Sequence, residues 1–175
     1  MRHTHDGRAP RDSREVPSGA AGCRFALVVS RFNDAITGRL REGARAALSE
    51  AGAAAGDVEE FFVPGAFELP QAARGIAETG RFDAIVALGC VIRGETPHFE
   101  YISSAVAHGL MAAAGETGVP MTFGVLTTDS EAQARARAGE GRDNKGFEAA
   151  AAAVDMAKLF RALRADARSA FDTTR

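Results

Sequence analysis

Tryptophan is absent from this chain of 175 residues, tyrosine occurs once, cysteine twice, and lysine only at Lys145 and Lys158. With aromatics at 7% in all, there is no material for a platform of rings on which single-stranded nucleic acid would stack. Charge of one sign is also lacking. A formal net charge of -2 gives neither nucleic acid nor an anionic membrane surface anything to recognise. Cys23 and Cys90 sit at or inside apolar, strand-like runs, with no CxxC and no Cys/His cluster beside them. They read as reduced core residues rather than as a disulfide or metal site, which places the chain in the cytoplasm. No apolar run approaches the roughly 18 residues that a membrane span needs.

Residues 1–22 lack apolar periodicity altogether. They are polar and Arg-rich, without the apolar stretch of a secretory signal, and read as a disordered tail. His3 and His5 there are solvated rather than ligands, and no metal site is expected anywhere in the chain. Residues 23–166 read as one folded domain and 167–175 as a C-terminal extension. Hydrophobic residues at 46% and charged ones at 25% suit an ordinary globular domain with room for a core.

What is present is a regular alternation. Strands are predicted over 25–30 (FALVVS), 58–63 (VEEFFV), 83–92 (DAIVALGCVI) and 121–128 (MTFGVLTT). Helices are predicted over 34–50, 67–80, 97–115, 130–138 and 144 to about 165, with Pro70 tolerated in a first turn. Strand followed by helix, four times over, predicts a four-stranded parallel sheet in a three-layer α/β/α sandwich of the flavodoxin-like kind. The chain is too short for a (β/α)8 barrel. Ligands of such sheets bind beyond the carboxyl ends of the strands. The segments there are SRFND (30–34), PGAFE (64–68), RGETPH (93–98) and TTDS (127–130). Each carries more chemistry than a connection requires, and four on one rim predict a small-molecule site.

RGETPH shows the chemistry best. Thr96 suits an N-cap and Pro97 the first helical position, so the amides around Gly94, Glu95 and Thr96 would face an anion at the positive helix end. Gly94 lets a phosphate approach the backbone. His98, in the first turn, can carry protons near neutral pH, and the helix end favours its neutral base form. Alone, His98 reads equally well as a histidine making a local hydrogen bond. His108, further along, reads as structural or solvated. The segment 135–146 offers Arg135, Arg137, Arg142 and Lys145, either as a solvated linker or as a clamp for phosphate. On the last helix, Met156, Leu159, Phe160 and Leu163 read as the core face. Phe147 and Val154, on the other side, then suggest burial against a second subunit.

Taken together, SRFND, VPGAFELP, ALGCVIRGETPHFEY, FGVLTTD and RAG…DNKGFEAA, in this order, closely resemble the lumazine synthase family over about residues 24–165. The resemblance implies a transferase of the penultimate step of riboflavin biosynthesis. It would condense 5-amino-6-(D-ribitylamino)uracil with 3,4-dihydroxy-2-butanone 4-phosphate, releasing phosphate and water, with no cofactor. By the same resemblance Phe32 would stack on the pyrimidine and Asn33 would contact it. Ala66, Phe67 and Glu68 would form the next wall, with Glu68 holding ribityl hydroxyls. Val91 and Ile92 would meet the pyrimidine edge, while Gly94, Glu95 and Thr96 would seat the phosphate. His98 would shuttle protons. Phe123, Lys145 and the phosphate-gripping Arg137 would come from the adjacent subunit. The resemblance further implies a homopentamer, which in some members assembles into a 60-subunit icosahedral shell. The Gly-Glu-Gly-Arg-Asp stretch before Asn144 departs from the Gly-Thr-Lys-x-Gly expected of shell formers. A flavin- or lumazine-binding protein, or a shell without turnover, on the same scaffold is the alternative reading.

Overall fold

All six residues of β1 (Phe25–Ser30) are buried, as a β-branched apolar run at the centre of a sheet requires. The computed structural model describes residues 19–172. In it β1 pairs in parallel with β2 (Val58–Val63) on one side and with β3 (Ala84–Ile92) on the other. β4 (Met121–Thr128) adds to β3, so the order is β2-β1-β3-β4, four parallel strands with β2 and β4 at the edges. The three-layer, flavodoxin-like sandwich expected from the alternation is the fold observed.

Side-chain alternation divides the core. Phe25, Leu27 and Val29 of β1 with Val86 and Leu88 of β3 face one layer, made by α1 (Asp34–Glu50), α4 (Glu131–Arg137) and α5 (Lys145–Asp172). Ala26, Val28, Ile85 and Ala87 face the other, made by α2 (Leu69–Glu78) and α3 (His98–Thr117). The chain leaves β1 toward β2 on one side and returns past β1 to β3 on the other. The strand order therefore reverses between β1 and β3, and the crevice outside their carboxyl ends is where such a sheet takes a ligand.

Several boundaries differ from expectation. Residues 66–68 form a separate 3-10 turn (Ala66–Glu68), and α2 starts at Leu69, with Pro70 in its first turn as expected. α5 continues to Asp172, because the sequence after 160 contains neither glycine nor proline to stop it. Of the tail expected over 1–22, residues 1–18, with His3 and His5, lie outside the described residues. Ala20 is buried, and its amide donates to the Ala51 carbonyl at 3.0 Å.

The two faces of α5 are the reverse of the expected ones. Phe147 and Val154 are 2% and 0% exposed and carry the core, while Leu159 and Leu163 are 50% and 54% exposed. The core face is otherwise alanine: Ala150, Ala153 and Ala157 are buried there. Close approach of α1 is the reason. A Cβ at Gly146 would collide with the Leu40 carbonyl, and one at Gly43 with the Asn144 side chain. Only small residues let these helices meet. Asn144 closes the crossing, donating from Nδ2 to Arg39 O at 3.0 Å and Gly139 O at 2.7 Å. Its Oδ1 accepts from the amides of Gly146 and Phe147 and so caps α5.

Candidate active site

The β1–β2 ladder extends past the strands. Arg31 donates to Val63 O at 2.9 Å and Phe32 to Pro64 O at 3.1 Å, which lays the SRFND loop beside PGAFE. Asn33 then turns the chain into α1 with φ at 60°, the only described residue other than glycine with positive φ. Asparagine tolerates this left-handed geometry better than most residues. The turn aims Asn33 Nδ2 at the Cys90 carbonyl, 3.0 Å away at the end of β3.

These segments enclose an open cleft of about 450 Å³ at the β1/β3 reversal. It brings together Phe32, Asn33, Ala66, Phe67, Val91, Ile92, Gly94, Thr96 and His98, nine of the fourteen residues expected at the site. Phe32 and Phe67 are 70% and 57% exposed, two ring faces open to the cleft. Glu95 lies in the same exposed loop between Gly94 and Thr96. Glu68 is half-buried just behind the wall, where its Oε2 accepts the Gly65 amide at 2.9 Å and holds the turn. Gly65, Cys90, Phe99 and Ile102 complete the lining and were not anticipated as site residues. Ile102 follows His98 on α3 by four positions, a spacing that puts both on one helix face, whereas no spacing announces Phe99.

The start of α3 departs by one residue from expectation. The helix begins at His98, with Pro97 rather than Thr96 in the cap position and no side-chain cap. Pro97 supplies the first carbonyl, accepting from Glu100 N at 3.1 Å, and its missing N–H costs nothing there. Thr96 is thereby left free of capping and faces the cleft. Among the described residues, no acceptor is set on the amides of Gly94, Glu95 and Thr96. His98 is exposed at the cleft. His108, by contrast, is an exposed residue of α3 bonded to the Ser104 carbonyl at 2.8 Å.

Electrostatically the cleft is incomplete. Among its lining side chains only His98 can become a cation. Burial pushes the Cys90 thiol up to about 11, with the Glu131 carboxylate adding to the effect, so it is a neutral wall rather than a nucleophile. Among the described residues no group of three or more His, Cys, Asp or Glu is placed to hold a metal ion, and no helix is long and apolar enough to cross a membrane.

The three remaining expected residues, Phe123, Arg137 and Lys145, lie elsewhere together. They line a second concavity of about 550 Å³ on β4, α4 and α5, at the β4 edge of the sheet, and no residue lines both. Phe123 projects from edge strand β4, 46% exposed. Arg137 is exposed at the end of α4, where Nη1 donates to Gln133 O at 3.2 Å. Lys145 opens α5 and pairs with Glu148 at 2.7 Å.

The family model of 6,7-dimethyl-8-ribityllumazine synthase matches residues 22–161. A protein of Syntrophus aciditrophicus (strain SB) bearing that name is 51% identical over 142 residues, covering 81% of this chain and 92% of that protein. Another with the same name, from Anaeromyxobacter sp. (strain K), is 54% identical over 150 residues, covering 85% and 93%.

Proposed function

The chain belongs to the 6,7-dimethyl-8-ribityllumazine synthase family, and from that premise we propose that it condenses 5-amino-6-(D-ribitylamino)uracil with 3,4-dihydroxy-2-butanone 4-phosphate. The amine of the uracil attacks the ketone and water leaves to give an imine. Phosphate is then eliminated, and the ribitylamino nitrogen adds to the remaining carbonyl and expels a second water, which closes the second ring and yields the lumazine. Each step moves protons at one locus, which suits a single histidine at the rim. Holding two substrates side by side supplies much of the rate.

In this reading Phe32 stacks on the pyrimidine, Asn33 contacts it, and Val91 and Ile92 meet its edge. Ala66 and Phe67 wall the ribityl chain, and the free oxygen of Glu68 takes its hydroxyls. The amides of Gly94, Glu95 and Thr96 seat the phosphate, and His98 carries the protons. A pure binder has no need of His98, which favours turnover over the non-catalytic alternative. The reduced, buried Cys23 and Cys90 support a cytoplasmic setting.

One observation carries the reading: the expected site residues fall in two separate concavities of complementary chemistry. The cleft offers rings, amides and a histidine but no guanidinium or ammonium for a phosphate dianion. The second concavity offers Arg137, Lys145 and an exposed Phe123, but no acid–base residue beyond Glu148. Placed against one another by a cyclic assembly, the two halves make one site between subunits. We take that assembly to be a pentamer at least. Mixing the two substrates with the protein and following lumazine absorbance tests the reaction.

A further inference from the structure

Arg93 is the first residue beyond β3 and does not line the cleft. Its side chain nevertheless meets three partners. Nε donates to Asp129 Oδ1 at 2.7 Å, Nη1 donates to the Glu100 carboxylate, and the guanidinium lies over the Phe99 ring, 4.3 Å from its centroid. Its backbone amide donates to Thr128 O at 2.8 Å, which fixes where the side chain starts. The partners belong to different segments. Asp129 follows β4, while Phe99 and Glu100 are in the first turn of α3, immediately after His98.

Two carboxylates already engage this guanidinium, so it is not an open phosphate seat. The same contacts hold the Glu100 carboxyl below the usual carboxylate range. They also hold the Arg93 guanidinium above its ordinary value. A planar fork bonded along two edges and stacked on a ring fixes orientation in a way that an ammonium cannot. Exposed ion pairs of this kind add little to stability. What the clamp fixes is geometry: the ring of Phe99 forms part of the cleft wall, and His98 is the residue before it.

We propose that Arg93 is a positioning residue, a clamp between the end of β4 and the first turn of α3 that sets His98 and Phe99 for the reaction. The proposal rests on the reading of the cleft as the lumazine-forming site.

The test is steady-state kinetics and thermal unfolding of the full chain and of R93K, E100Q and the double variant. R93K keeps the charge but not the fork. Its kcat is expected to fall about 10- to 100-fold, the scale of a misplacement near 1 Å. KM for the phosphorylated substrate should stay within about threefold, and Tm within a few degrees. E100Q, at an exposed helix start, should lower kcat as well, and the double variant should be no slower than R93K alone. Should R93K fail to fold, E100Q carries the same test. An unchanged kcat in an otherwise active protein overturns the clamp. So does a tenfold rise in KM with kcat kept, which would make Arg93 a direct phosphate ligand. A loss of activity that tracks unfolding would reduce Arg93 to a stability role. An unaltered protein that makes no lumazine would overturn the reading of the site and the clamp with it.

Discussion

Asn33 donates from Nδ2 to the Cys90 carbonyl at 3.0 Å, tying the loop after β1 to the end of β3 across the point where strand order reverses. One amide thus does two things: it holds a left-handed turn and closes the floor of the cleft.

Asn33→Ala and Asn33→Gly separate these roles. Alanine loses the bond and is strained at positive φ, so stability should fall by about 1–3 kcal/mol by urea unfolding. Glycine accepts the geometry and should recover most of that stability while turnover remains impaired. Equal stability of the two variants would contradict the backbone role.

Arg137→Ala should raise KM for the phosphorylated substrate with kcat less affected, since the lost group anchors phosphate. An unchanged KM would remove Arg137 from the site. His98→Ala should instead lower kcat, roughly 10- to 1000-fold, with the assembly intact.

Mixing these two variants tests the split site. In oligomers assembled from equal amounts of His98→Ala and Arg137→Ala chains, about a quarter of sites would pair an intact cleft with an intact donor edge, as random neighbours in a ring require. Assayed with the phosphorylated substrate far below the KM of the Arg137→Ala protein, activity should return to about that fraction of the unaltered protein. No recovery would mean that both residues serve one site from one chain.

Cys90 should resist alkylation. With its thiol pushed up to about 11, only about 0.1% is thiolate at pH 8, against roughly a quarter for a free cysteine. Iodoacetamide labelling followed by mass spectrometry should therefore leave Cys90 unmodified until the chain unfolds. Rapid labelling in the folded state would contradict the burial.

The two faces of α5 should differ in stability. Phe147→Ala removes a core ring and should cost about 3–5 kcal/mol, whereas Leu163→Ala should stay within about 0.5 kcal/mol in the isolated subunit. The reverse order would restore the face assignment that the sequence suggested.

That assignment shows where sequence reading stops. Strand runs such as FALVVS and strand-end loops such as SRFND are local patterns, and they placed the sheet and the segments that hold seven of the nine cleft residues, whereas Val91 and Ile92 came from the family resemblance alone. On α5 the large residues Met156, Leu159 and Leu163 gave the strongest apolar signal. The core face there is built of alanines because Gly43 and Gly146 bring α1 and α5 into contact. A helix wheel cannot see a partner that demands small residues. The Arg93 clamp was equally invisible, since Asp129 is 36 residues away and nothing periodic announces the contact. The split into two concavities did not follow from spacing, but the family resemblance anticipated it by assigning Phe123, Arg137 and Lys145 to a neighbour.

The most direct measurement mixes the protein with 5-amino-6-(D-ribitylamino)uracil and 3,4-dihydroxy-2-butanone 4-phosphate, and follows lumazine absorbance and inorganic phosphate together. The account predicts that both rise in equal amounts, and that neither rises when either substrate is withheld. Binding of the ribityl compound without lumazine or phosphate would contradict it.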